Sequence, residues 1–169
     1  MPQFAELTYR NLPFTDTTIC RYFMPQSAAT ATPWKPRYLQ KAVKTALNDT
    51  PVVCLLGARQ TGKSSLVQEI DPDRTYLSLD EQNLLLAAKE DPEGFVRQLP
   101  EKITIDEIQR APELLLSIKR NVDSNRVPGK YLLTGSANLL QVPRLSDSLA
   151  GRMEILHLQP LSESEKEGA

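Results

Sequence analysis

Cysteine and histidine are nearly missing from this chain, and several classes of chemistry go with them. The 169 residues hold two cysteines, Cys20 and Cys54, and a single histidine, His157. The cysteines form no C-x-x-C pair and neither stands near His157 in the sequence, so there is no disulfide framework and no Cys/His zinc set to read. Cys54 falls inside an apolar run, where a free thiol behaves as a small core residue, and a reducing cytoplasm is the expected location. Long hydrophobic runs are lacking too. Nothing approaches the roughly 18 apolar residues of a membrane span, and the N-terminus has no basic start followed by an apolar segment, so neither export nor a membrane partner is expected. An excess of one charge is also absent: the formal net charge is -1 and the pI is ≈ 5.9. Composition therefore makes no global case for a nucleic-acid partner, although it leaves a local basic patch open. With 40% hydrophobic and 24% charged residues, the profile is that of an ordinary globular chain, long enough for one domain.

What is present is concentrated in PVVCLLGARQTGKSSLVQEI, residues 51–70. A β-branched apolar run feeds Gly57, Ala58, Arg59, Gln60, Thr61, Gly62, Lys63 and Ser64, which fill every fixed position of the G-x-x-x-x-G-K-[ST] phosphate-binding loop. Such a string should arise by chance in about one in a few hundred chains of this length. Here it also stands between a predicted strand and an amphipathic stretch carrying Leu66, Val67 and Ile70. Gly57 and Gly62 are expected to take positive φ and let successive N–H groups turn inward at a helix N-terminus. Lys63 adds a point charge near the β and γ phosphates, and the Ser64 hydroxyl is a candidate Mg2+ ligand.

Residues 1–36 show no sustained period and read as a poorly ordered extension; their aromatics, Phe4, Tyr9, Phe14, Tyr22, Phe23 and Trp34, are the alternative, a docking segment. A domain is expected over residues 37–165, with residues 166–169 a tail. Residues 37–48 place Tyr38, Leu39, Val43, Ala46 and Leu47 at helical spacing. Strands are then expected at 52–56, 74–79, 103–105, 130–133 and 154–158. Helices are expected at 63–70, 82–89, after Pro92, from Pro112 to about Val122, and as loop and helix over 138–149. This alternation predicts an α/β sandwich of three layers around a mainly parallel five-stranded sheet. In such sheets ligands bind beyond the carboxyl ends of the strands, where Gly57, Asp80, Asp106 and Ser136 fall.

The apolar strand ending in Asp106-Glu107 supplies what nucleotide hydrolysis requires opposite a phosphate loop. One carboxylate holds Mg2+, and the next orients and deprotonates the attacking water. Alone, an Ile-Asp-Glu string reads as a strand end with a solvated acidic turn; after a complete phosphate loop the hydrolytic reading takes over. Thr134 and Ser136 are expected on one side of the next strand end, where a hydroxyl could bridge γ phosphate and water, or mark an ordinary turn. Arg152 is a candidate for charge on the transferring phosphoryl group, in this subunit or a neighbour, against the alternative of a surface arginine after a glycine helix stop.

Together LLGARQTGKSSL, ITIDEIQRAPELL, YLLTGSANLL and SLAGRMEILHLQPLS resemble a large prokaryotic family of AAA+ type ATPases within the P-loop superfamily. The match covers about residues 36–165. It implies phosphate contacts from Gly57 to Ser65, Mg2+ at Ser64 and Asp106, and a hydrolytic base at Glu107. It also implies a sensor at Ser136 or Thr134, a finger or sensor arginine at Arg152, and adenine contacts from Arg37 and Tyr38. The family's Walker A and Walker B motifs are then the phosphate loop and the Asp106-Glu107 strand end. In that family a C-terminal domain related to restriction-type nucleases usually follows; Ala169 comes before one could begin, and residues 1–35 have no counterpart. The expectation is a cytoplasmic enzyme that binds and hydrolyses MgATP, ATP being preferred because no N-K-x-D tetrad reads guanine. The alternatives are a nucleotide-binding switch or truncated remnant that signals to a protein partner and, behind it, phosphoryl transfer to a small molecule. A protein partner or homo-oligomer stays open.

Overall fold

The computed structural model describes residues 35–136 and 149–167. The chain enters through α1 (Leu39–Asp49) and passes into β1 (Val52–Gly57), the phosphate loop and α2 (Lys63–Ile70). Next come β2 (Thr75–Ser78), α3 (Gln82–Glu90), α4 (Pro92–Arg97) and β3 (Ile103–Asp106). A 3-10 turn (Ile108–Arg110), α5 (Leu114–Ser124), β4 (Tyr131–Gly135), β5 (Met153–Leu158) and α6 (Glu163–Glu167) follow among the described residues. The strands form one five-stranded sheet in the order β2-β3-β4-β1-β5, and every pairing is parallel.

All six residues of β1 are buried, as expected of a central parallel strand covered on both faces. Its side chains alternate between two cores. Val52, Cys54 and Leu56 join a cluster with Leu84, Val96, Leu114 and Ile118 from α3, α4 and α5. Val53 and Leu55 join another with Val43 and Ala46 of α1 and Leu66, Val67 and Ile70 of α2. The period of 2 along the strand thus builds the three-layer sandwich. Burial pushes the Cys54 thiol up to about 12, which leaves it a core group without nucleophilic character at neutral pH.

Local chemistry explains where the structure departs from the sequence expectations. Tyr38 was placed on the apolar face of the first helix, yet it precedes α1 and is 64% exposed, with its N–H given to Glu165 Oε1 (2.9 Å). The polar end, read as a tail from residue 166, continues a helix: Ser162 Oγ accepts from the Glu165 N–H (3.2 Å) while Glu165 Oε2 accepts from the Ser162 N–H (2.9 Å). That reciprocal pair is a capping box. Residues 1–34 of the expected 1–36 extension, and most of the expected 138–149 loop and helix, lie outside the described residues.

The strand order fixes where chemistry can occur. Because β4 lies between β1 and β3, the phosphate loop and the Asp106 strand end are two strand spacings apart, about 9.6 Å. The end of β4 fills the floor between them.

Candidate functional site

The loop after β1 closes on itself before α2 begins. Thr61 Oγ1 donates to the Ala58 carbonyl (2.9 Å), Gln60 adopts φ 63, and Gly62 enters α2 at φ 87. Alternating right- and left-handed residues of this kind turn consecutive N–H groups to one side. Gly62 therefore meets the expectation of positive φ, and Gly57 does not. A Cβ at Gly57 would lie 2.6 Å from the Leu158 carbonyl oxygen and 3.1 Å from Thr61 Oγ1; close approach by β5, rather than backbone handedness, demands glycine there.

Lys63 is only 6% exposed. Its ammonium donates to the carbonyls of Gly57 (3.1 Å) and Ala58 (2.8 Å), which holds the charge at the centre of the loop. Above it opens a cavity of ≈ 410 Å3 lined by Arg59, Gln60, Gly62, Lys63, Ser64, Ser65, Asp80 and Glu107. This is a ligand-sized volume, and its wall is polar and mixed in charge, suited to phosphates more than to an apolar group. Asp80, at the rim, is ion-paired to Arg110.

Asp106, 4% exposed, receives hydroxyl donors from three separate elements. Ser64 Oγ of α2 (3.0 Å) and the Tyr76 hydroxyl of β2 (2.6 Å) both donate to Oδ2, and Thr134 Oγ1 of β4 donates to Oδ1. The Thr134 oxygen in turn accepts the Glu107 N–H (3.2 Å). Burial first, and then the Asp106 carboxylate, raises the Tyr76 phenol above its ordinary value, so it stays a donor. Glu107 takes φ 60, a left-handed conformation costing a non-glycine residue about 1 kcal/mol or more. It breaks the strand alternation immediately after Asp106 and brings Glu107 to the cavity. The Gln109 amide binds the Glu107 carboxylate, and the Gln109 carbonyl accepts the Ser136 N–H (3.2 Å).

Ser64 and Asp106 are hard oxygen donors in contact, a set that suits Mg2+. No group of three or more His, Cys, Asp or Glu side chains able to hold a metal occurs among the described residues. Two protein oxygens with phosphate and water for the rest is how Mg2+ is ordinarily held, so the residues fit the ion.

The loop, Lys63, Ser64, Asp106, Glu107 and Thr134 thus lie together at the carboxyl end of the sheet. Three other candidates differ from these. Ser136 makes its described contact through its backbone, while Thr134 is the hydroxyl engaged with the acidic pair. Arg37 has its guanidinium, 7% exposed, committed to protein groups: the Thr61 carbonyl (2.7 Å), the Gln159 carbonyl (2.5 Å) and Glu165 Oε1 (3.2 Å). Arg152 lies at the wrong end of the sheet for a role in its own chain. Its carbonyl accepts from Val52 at the start of β1, about 17 Å along the strand from the loop, and its side chain pairs with Asp123. Conversely, Tyr76, Gln109 and Glu165 escaped the sequence reading. Only Glu165 carried a signal, the Ser162-x-x-Glu165 capping box.

Comparison with known proteins follows the same lines. The chain is 36% identical over 121 residues to an uncharacterized protein of Mycobacterium bovis and, equally, to one of Mycobacterium tuberculosis, covering 71% of this chain and 27% of each of them. It therefore spans about a quarter of the length of these curated relatives. Among solved structures, a Walker-type ATPase of Pyrococcus abyssi shares the fold at TM-score 0.51 and 18% identity, covering 78% of this chain and 55% of that one. No helix among the described residues is long and apolar enough to cross a membrane. A family model described as an AAA domain matches residues 49–166, and the chain belongs to that family of P-loop ATPases.

Proposed function

We propose that this AAA-type P-loop domain binds MgATP and hydrolyses it by in-line attack of water on the γ phosphorus. The observation that carries the reading is the convergence, on one cavity, of a phosphate loop and a carboxylate that the backbone turns out of its strand at φ 60. The loop N–H groups and the Lys63 ammonium bind and orient the β and γ phosphates and take up the negative charge that develops on them. Mg2+, held at Ser64 and Asp106, would neutralise phosphate oxygens and polarise the γ phosphorus. Asp106 is kept in place by Tyr76 and Thr134. Glu107 accepts a proton from the attacking water while the bond from the γ phosphorus to the β,γ-bridging oxygen breaks, leaving ADP and inorganic phosphate.

A second reading is a nucleotide-binding switch without useful turnover, and the engagement of the Glu107 carboxylate by Gln109 favours it. Steady-state phosphate release separates the two. Hydrolysis predicts release by the unmutated chain that falls about 10²- to 10⁴-fold in Glu107→Gln while ATP affinity is retained. Tight ATP binding with no release from the unmutated chain would leave only the switch. The adenine-binding surface, cytoplasmic location and any assembly or partner remain part of this proposal; exposed Tyr38, beside the loop-bound Arg37, is the residue for stacking on a base.

A further inference from the structure

Arg37 precedes the first helix, and Glu165 lies in the last one. They form a buried ion pair of 3.2 Å with side chains 5% and 8% exposed. Burying two charges is unfavourable unless their remaining hydrogen-bonding groups are satisfied, and here they are. Glu165 accepts from Arg37, from the Tyr38 N–H and from the Ser162 N–H. Arg37 places its other two nitrogens on the Gln159 and Thr61 carbonyls. A Cβ built on Gly62 would stand 3.7 Å from Arg37 Nη1, so the guanidinium lies directly behind the Thr61-Gly62 turn.

Peptide geometry turns this contact into a functional one. In a planar trans peptide the C=O and N–H point in opposite directions. Tying the Thr61 carbonyl to a group behind the loop therefore aims the Gly62 N–H forward, and Gly62 lines the cavity. A guanidinium held from three sides is a rigid peg for that purpose. Without it the Thr61-Gly62 peptide is free to rotate, and a glycine offers little resistance.

Resting on the phosphate-site reading above, we propose that Arg37 is a positioning residue for the phosphate loop, pinned by Glu165 and Gln159 so that its hold on the Thr61 carbonyl keeps the Gly62 N–H aimed at a polyphosphate. Because α6 supplies Glu165, the loop and α6 are linked: a polyphosphate that fixes the loop also fixes α6, and displacement of α6 loosens the loop.

The test compares binding of MgATP with binding of magnesium tripolyphosphate, which has the phosphates and no base, by calorimetry on the unmutated chain, Arg37→Gln, Glu165→Gln and a Lys63→Ala control. Both test variants are expected to lose affinity for the two ligands by the same factor, about tenfold for Arg37→Gln and less for Glu165→Gln, as loss of a hydrogen bond to a charged group implies. Tripolyphosphate is also expected to slow amide exchange in Glu163–Glu167 of the unmutated chain and not of Arg37→Gln. Loss of ATP affinity with tripolyphosphate affinity intact would make Arg37 a base contact and overturn the proposal. So would a fall in Tm with both affinities unchanged. If Arg37→Gln does not fold, Glu165→Gln, which keeps the side-chain shape, carries the same comparison. A Lys63→Ala control that bound tripolyphosphate normally would instead sink the phosphate site itself.

Discussion

Two arginines, each 7% exposed, sit at opposite ends of the same parallel sheet and spend their guanidinium groups on backbone carbonyls. At the amino end, Arg74 bonds the carbonyls of Ile103 (3.2 Å), Lys130 (3.2 Å) and Gly129 (2.7 Å), tying together the starts of β3 and β4. At the carboxyl end, Arg37 bonds the carbonyls of Thr61 and Gln159. In residue type, burial and the carbonyls held by their terminal nitrogens the two are alike, although Arg37 Nε donates to Glu165 while the buried Arg74 Nε has no hydrogen-bond partner. They differ further in what the carbonyls belong to. Those at the amino end belong to strand starts that do not line the cavity; one at the carboxyl end belongs to the loop that does. A buried arginine is therefore not in itself a sign of a binding site, and the same clamp serves stability at one end and ligand geometry at the other.

The contrast can be broken by substitutions at each end. Lys63→Ala should have the largest effect, about a hundredfold loss of ATP affinity or more, on the scale of removing a buried charge partner, with little change in Tm. Arg74→Ala should do the reverse. Leaving three strand-end carbonyls and Asp71 without their partner is expected to cost about 3 kcal/mol of unfolding free energy by denaturant titration, with ATP affinity unchanged in the protein that remains folded. Affinity that fell with Arg74→Ala would erase the distinction between the ends. Tyr76→Phe should have a smaller effect, a few-fold increase in the Mg2+ concentration needed for half-maximal ATP binding, because it removes one of two donors on Asp106 Oδ2 and leaves Ser64 and Thr134.

The smallest expected effect concerns pH. The Ser162 N–H, joined by the Tyr38 N–H and Arg37, holds the Glu165 carboxyl at about 2 against an ordinary 4.5. A carboxyl depressed in the folded state stabilises above its ordinary value, and that contribution is lost as pH falls from 4.5 toward 2. Thermal melts across that window should thus drop less steeply in Glu165→Gln than in the unmutated chain. Equal slopes would show that the clasp contributes nothing through its charge.

What the sequence revealed follows the range of the interactions. The phosphate loop was legible because its requirements are met within eight consecutive residues, Gly57 to Ser64, and the alternation of strands and helices gave the layers because burial is periodic. Asp106 and Glu107 were legible through that periodicity, as the polar end of an apolar strand. The Arg37 clasp was not legible because its partner Glu165 stands 128 residues away, and no local pattern links them. Arg152 looked suitable because a mainly parallel sheet leaves the direction of its last strand open; the parallel register of β5 on β1, Met153 opposite Val52, puts the residue before that strand at the amino end. Gly57 was correctly read as a required glycine for the wrong cause, since the close approach of the Leu158 carbonyl is a tertiary fact. The Ser162-x-x-Glu165 capping box is legible in the sequence, and it carries the last helix past the 165/166 boundary expected between domain and tail.

Hydrolysis at the carboxyl end of the sheet, with Glu107 as the base, stands or falls on the fate of bound ATP. The most direct measurement is a single-turnover experiment: incubate the unmutated chain and Glu107→Gln with limiting radiolabelled MgATP, quench, and identify the bound nucleotide. With Glu107 as the base, ADP is expected from the unmutated chain and intact ATP, bound with similar affinity, from Glu107→Gln. Conversion of ATP to ADP at the same rate by both proteins would contradict it.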